Sequence, residues 1–180
     1  ARPQRLVLAA LGHSPGTNGV IEADVVLFDS LEALNAAPAG SLTGKIAYVD
    51  AGQMVRMQDG SGYGPLTRIR GAGPAAAAAK GAVAFIMRSV GSDEHRMPHT
   101  GTTRYVEGVV PLPGFALAAP DADTVSRLIE LGETVRLRLS LLGAPLRGAE
   151  TDLSTPVPRA ETGVSRLKKV SPKFIQSEDP

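Results

Sequence analysis

The sequence predicts a mixed α/β, β-rich fold, and three observations carry that reading. Short apolar runs bounded by turn residues recur at 5–11, 20–28, 44–50, 82–87 and 115–119, a length that suits buried strands. Helix signals fall between them, with Ser30, Pro74 and Asp121 at the starts and Pro38, Gly81 and Gly132 at the ends. Residues 135–141 alternate apolar and polar, the pattern of a strand with one packed and one wet face.

Residues 5–11 and 20–28 read as two extended segments, the second rich in β-branched residues. A turn from Gly12 to Gly19 joins them, and a pair of neighbouring edge strands is the expected arrangement. Asp29 or Ser30 caps a short helix in which Leu31, Ala33, Leu34 and Ala37 offer an apolar surface before Pro38 stops it. Residues 44–50 form a strand ending at Asp50. The stretch 53–67 contains Asp59-Gly60-Ser61-Gly62-Tyr63-Gly64-Pro65, whose glycines and proline predict a shaped loop with little helical periodicity.

Pro74 suits the first turn of a helix over 75–80, where five alanines permit close packing on a sheet and Gly81 ends the helix. The uninterrupted apolar run 82–87 is the central strand, and 115–119 another buried one. Asp121 then caps a helix carrying Val125, Leu128 and Ile129 on one stripe. Arg136 and Arg138 fall on the wet face of the last strand, as solubilising residues.

A chain of 180 residues with 43% hydrophobic content can build one sizeable core. Aromatic content is only 4%, so aliphatic side chains must fill most of it, with Phe28, Phe85 and Phe115 as large exceptions. The expected division is one domain over 1–143 and a linker or poorly ordered tail over 144–180, where prolines and mixed charges outweigh scattered hydrophobes. A formal charge of +1 without a long basic tract gives no footprint for nucleic acid. The chain contains no cysteine, which removes thiolate nucleophiles, disulfides and Cys-ligated metals. No apolar run reaches bilayer-spanning length, and the first residues do not read as a signal peptide.

Several groups invite a chemical reading. Asp93, His95 and His99 offer carboxylate and imidazole ligands to a metal, and a metal-dependent hydrolase using them is one alternative, although no fourth donor is implied. Pro98, His99, Thr100, Gly101 and Thr102 form either a structural turn or a surface that touches a ligand or neighbouring domain. The 59–64 glycine loop lacks the GxxxxGK[ST] pattern of a phosphate cradle. Ser61 or Ser92 with His95 or His99 could compose a triad, yet no serine sits in a GxSxG turn. His13 reads as a solvent-exposed side chain.

The ordered segments Phe28-Asp29-Ser30-Leu31-Glu32, Gly44-Lys45-Ile46, Gly81-Ala82-Val83-Ala84, Pro98-His99-Thr100-Gly101, Val110-Pro111-Leu112-Pro113 and Asp121-Ala122-Asp123 resemble those of a protease-associated domain. More narrowly, they are similar to the insert of M28-family zinc peptidases, over approximately 5–143. The resemblance implies a central β-sheet or open barrel with short peripheral helices, set beside a catalytic domain in the same polypeptide. It further implies a non-catalytic role, no catalytic or metal-binding residue in this chain, and zinc held in the separate peptidase core. A secreted or periplasmic parent protein follows from the same likeness, and Pro98 to Thr102 becomes the candidate contact with peptide substrate or with the core. A stand-alone peptide- or protein-binding domain is the other reading.

Overall fold

The computed structural model describes residues 3–92, 94–142 and 165–170. Strands β1 (Gln4–Leu6), β2 (Leu8–Ala10), β3 (Val20–Phe28), β4 (Ile46–Val49), β5 (Ala84–Arg88), β6 (Gly114–Leu117), β7 (Thr134–Ser140) and β8 (Ser165–Val170) make one sheet in the order β1-β8-β7-β3-β4-β5-β6-β2. Helices α1 (Leu31–Ala36), α2 (Tyr63–Ala79) and α3 (Ala119–Glu130) flank it. The first and last positions in that order belong to β1 and β2, which Val7 alone separates in the chain. The sheet therefore curls until both its ends reach one short segment, consistent with the twist that strands accumulate.

Strand β3 joins two kinds of pairing. Its first half, from Val20 to Asp24, is antiparallel to β7, while Val25 to Phe28 run parallel to β4. Strands β4, β5 and β6 continue in parallel. Alternation then divides their side chains between two cores. Tyr48, Ile86 and Leu117 pack with Val125 of α3 and Leu137 of β7, whereas Val49, Phe85 and Ala116 pack with Leu34 of α1 and with Ile69 and Ala77 of α2. Burial on both faces explains why these strands read as continuous apolar runs.

The single strand expected at 5–11 is thus two strands, and neither is a neighbour of β3. At the break the Val7 N–H leaves the sheet and donates to the buried Asp121 carboxylate at 2.7 Å, a partner far along the chain. That bond also revises the capping role expected for Asp121. The residue preceding α3 is Ala118, without a side-chain cap, and Asp121 lies in the first turn with its carboxylate turned to Val7 and Arg96. The cap expected from Ser30 is present, its hydroxyl accepting from the Ala33 amide at 3.1 Å.

Helix α2 starts at Tyr63, a dozen residues earlier than the alanine run suggests, and Pro74 lies inside it. An internal proline removes one backbone donor and crowds the preceding turn. The missing donor would have served the Arg70 carbonyl, and the next one, of Gly71, accepts from the Arg104 amide at 3.0 Å and the Thr103 hydroxyl at 3.3 Å, which ties this turn to a neighbouring loop. Gly73 meets the Phe85 ring, and a Cβ there would sit 2.3 Å from its Cζ. Gly73→Ala is expected to destabilise the fold by about 1–3 kcal/mol through overpacking, read as a lower denaturation midpoint at unchanged m-value.

On β7, Val135, Leu137 and Leu139 are buried, as the alternation predicts. Arg136 does more than solubilise: it pairs across the strand interface with Glu22 at 3.5 Å and Asp24 at 3.2 Å on β3. The linker or tail expected at 144–180 falls mainly outside the described residues. Within it, Ser165–Val170 forms β8 between β1 and β7, a strand the sequence reading does not anticipate.

Candidate functional site

The connection from β5 to β6 spans 89–113, with no helix among its described residues. That exceeds the roughly 12–15 residues beyond which an unstructured connection in a compact domain is uncommon and usually functional. Its middle holds Pro98 to Thr102, and the fold fixes that stretch from three sides. The His99 amide donates to Ser89 Oγ at 2.5 Å. The Gly12 amide donates to the Gly101 carbonyl at 2.8 Å, and the Thr103 amide donates back to Gly12 at 3.0 Å, adding an isolated parallel bridge between Gly12 and Thr102. Thr103, fully buried, anchors the loop on Gly71 of α2.

Helix α2 provides the floor. Tyr63 at its first residue and Arg70 two turns later lie on one side, as seven-residue spacing requires. The His99 ring meets Tyr63 edge-on, with centroids 6.1 Å apart at 82°, and its Nε2 lies 3.4 Å from the phenol oxygen. Arg70 Nη1 donates to the Thr100 carbonyl at 3.3 Å and reaches the Tyr63 hydroxyl at 3.5 Å. Gly101 sits directly over this guanidinium, since a Cβ at that position would approach Arg70 Cζ to 2.4 Å. His99, Thr100 and Thr102 are exposed on the resulting surface, with Pro98 and Gly101 half-buried.

The structure therefore brings the five predicted contact residues together and adds Tyr63, which the loop reading of 53–67 concealed, and Arg70, which fell in no predicted element. Asp93 lies outside the described residues, and His95 is exposed. Among the described residues no three His, Asp or Glu side chains are grouped to hold a metal ion. Asp59, at the tip before α2, accepts from the Ser61 amide at 3.0 Å. That hydrogen bond holds its exposed carboxyl below the ordinary range, as in an Asx turn. His13 is exposed beside the loop, its Nδ1 3.3 Å from the Thr103 carbonyl.

A second polar cluster escapes sequence reasoning altogether. At the C-terminal ends of β4 and β5, Asp50 receives Arg88 Nε at 2.5 Å and Nη2 at 3.0 Å, the Ser126 hydroxyl at 2.5 Å and the Tyr48 hydroxyl at 2.8 Å. Arg88 also donates to Asp123 at 2.6 Å. Burial raises the Asp50 pKa, but the hydrogen bonds from Arg88, Ser126 and Tyr48, with the Arg88 charge, outweigh it and hold the carboxyl below its usual range. Burial, reinforced by the Asp50 charge, pushes the Tyr48 phenol above its usual range and keeps it a donor. The signal available in sequence was a charge closing each of two apolar runs, Asp50 and Arg88, which adjacent parallel strands bring together. Each member has its partners, so the cluster clamps α3 to the sheet.

No protein-family model matches the chain. Over 141 residues it is 32% identical to carboxypeptidase Q of Mus musculus and 30% identical to that of Homo sapiens, covering 78% of this chain and 28% of each of those proteins. In structure it matches the crystal structure of a peptidase M28 precursor from Shewanella amazonensis SB2B with a TM-score of 0.72 at 45% sequence identity, over 76% of this chain and 31% of that one. The chain resembles a partial domain of M28-family peptidases. The likeness agrees with a protease-associated insert, and the curled mixed sheet with short flanking helices is the fold it implied. The M28 relatives extend well beyond the matched part, which spans under a third of their length.

Proposed function

We propose that this domain is a non-catalytic accessory part of an M28-like zinc peptidase, and that its loop from Pro98 to Thr102 shapes peptide access to a catalytic domain in the same polypeptide. The observation that carries the proposal is the β5–β6 connection: a long loop, stitched to α2 and to Gly12, presenting exposed His99 and Thr100 on a firm base. A rigid protrusion can exclude some substrates and hydrogen-bond others without breaking bonds. Zinc belongs to the resembled peptidase core in this reading, and no step is assigned to it in this chain. A secreted or periplasmic setting is proposed on the same resemblance.

In a complete enzyme containing this domain, His99→Ala or Thr100→Ala is expected to change the ratio of kcat/KM between peptides by about 3–30-fold, the size of losing one or two substrate contacts. Zinc content should stay constant. Unchanged ratios across a varied peptide panel, with the protein folded, would remove the substrate-access role and leave a domain-packing one.

A further inference from the structure

Three arginines among the described residues are drawn inward, Arg70, Arg88 and Arg136. Arg88 holds Asp50 and Asp123, and Arg136 holds Glu22 and Asp24. Arg70 is half-buried, yet its hydrogen-bond partners are a backbone carbonyl and a phenol, at 3.3 Å and 3.5 Å. Its Nε is buried without a partner. A guanidinium partly removed from water and not neutralised is an electrostatic cost that an anion can offset.

The surroundings favour one kind of anion. Arg70 Nη1, the Tyr63 hydroxyl and His99 Nε2 follow one another at 3.5 Å and 3.4 Å on the exposed side of α2. Tyr63 also stands alongside the guanidinium, with Cζ 6.0 Å from its ring centroid. The backbone at Gly101 packs over the guanidinium against Cζ, Nε and Nη1, and Nη1 is taken up by the Thr100 carbonyl and the phenol, so that Nη2 is the terminal nitrogen without a partner among the described residues. A guanidinium N–H beside a hydroxyl suits a carboxylate, which can accept from both. Exposed Val55, Met57 and Met97 lie in the flanking loops, where the apolar parts of a peptide could rest.

We propose that Arg70, with Tyr63 and His99, is a carboxylate-binding subsite for peptides. This rests on the reading that the Pro98 to Thr102 loop meets substrate, and adds the chemical class that it recognises. The carboxylate is either a peptide's C-terminus or an acidic side chain. Gly101 is a positioning residue here, because any side chain would displace the guanidinium.

The test is a titration of the nitrogen-labelled 180-residue chain followed by amide shifts of Tyr63, Arg70 and Thr100. The probes are N-acetyl-dialanine as free acid, the same peptide as C-terminal amide, N-acetyl-glutamyl-alanine amide, and inorganic phosphate. Binding by the free acid with a Kd on the order of 1 mM, and not by its amide, supports a C-terminal source. Binding by the glutamyl amide instead supports a side-chain source.

Arg70→Gln should weaken either by about tenfold or more, Arg70→Lys less, and Gly101→Ala should weaken it with the charge intact. Should Arg70→Gln fail to fold, Gly101→Ala and Tyr63→Phe carry the test. Equal binding of acid and neutral amide, no binding of either acid, or phosphate binding as tightly as the acids would overturn the proposal. This readout needs no catalysis, so it separates from the peptide-preference experiment: either can fail while the other holds.

Discussion

Asp50→Ala is expected to lower unfolding stability by about 3–5 kcal/mol, the usual consequence of removing one partner from a buried ion pair. Both partners are inward: the Asp50 side chain is 7% exposed and that of Arg88 is 10%. Without the carboxylate, Arg88 keeps only Asp123, whose side chain is 69% exposed, while the Tyr48 and Ser126 hydroxyls lose their shared acceptor. Denaturant titration would measure the loss, and a change below about 1 kcal/mol would mean that the cluster is not a stabilising clamp.

The same carboxylate predicts an acid limb. Its folded-state pKa lies below the unfolded value, so its contribution is fully present above the unfolded pKa of about 3.9 and is lost as pH falls through the folded value. Stability of the native chain should therefore decline more steeply below about pH 4 than that of Asp50→Asn.

Asp121→Ala is the second large effect, at about 2–4 kcal/mol. Asp121 is 4% exposed and receives the Val7 amide at 2.7 Å as well as Arg96 Nη2 at 2.8 Å. Arg96 is 53% exposed and can return to water, so the ion pair itself contributes little of this figure. The larger part comes from an inward backbone N–H left without an acceptor at the point where the chain passes from β1 to β2. Amide exchange should show it locally: protection at Leu6, Val7 and Leu8 is expected to fall further than protection on β4. A uniform loss across the sheet would argue against a local role for the Val7 bond.

Much of the fold was legible because its signals are local. Continuous apolar runs marked β4, β5 and β6 since both their faces are covered, and alternation marked β7 since one face is wet. Ser30 and Gly81 punctuated helices for reasons that their own backbones supply. What escaped depended on partners distant in sequence. Val7 breaks a strand because of a carboxylate 114 positions later. Helix α2 begins at Tyr63, where glycines suggested only a turn, so that Pro74 lies in its interior.

The candidate site divides in the same way. Pro98 to Thr102 stood out as a polar cluster with a glycine, whereas Arg70 fell between the loop read at 53–67 and the helix read from Pro74 and had no local feature to distinguish it. Asp50, Arg88 and Ser126 become neighbours only through strand order and the docking of α3.

The pairing of β1 with β8 has an architectural consequence. Gln4 faces Leu167 and Leu6 faces Ser165 in antiparallel register, so the strand leading in and the strand leading out run side by side and open toward the same end. Hydrogen-bonded strands lie about 4.8 Å apart. Among the described residues strand β1, at the edge of the sheet, is thus held only through a strand formed late in the chain, and its pairing waits on residues that the rest of the sheet has already brought into place.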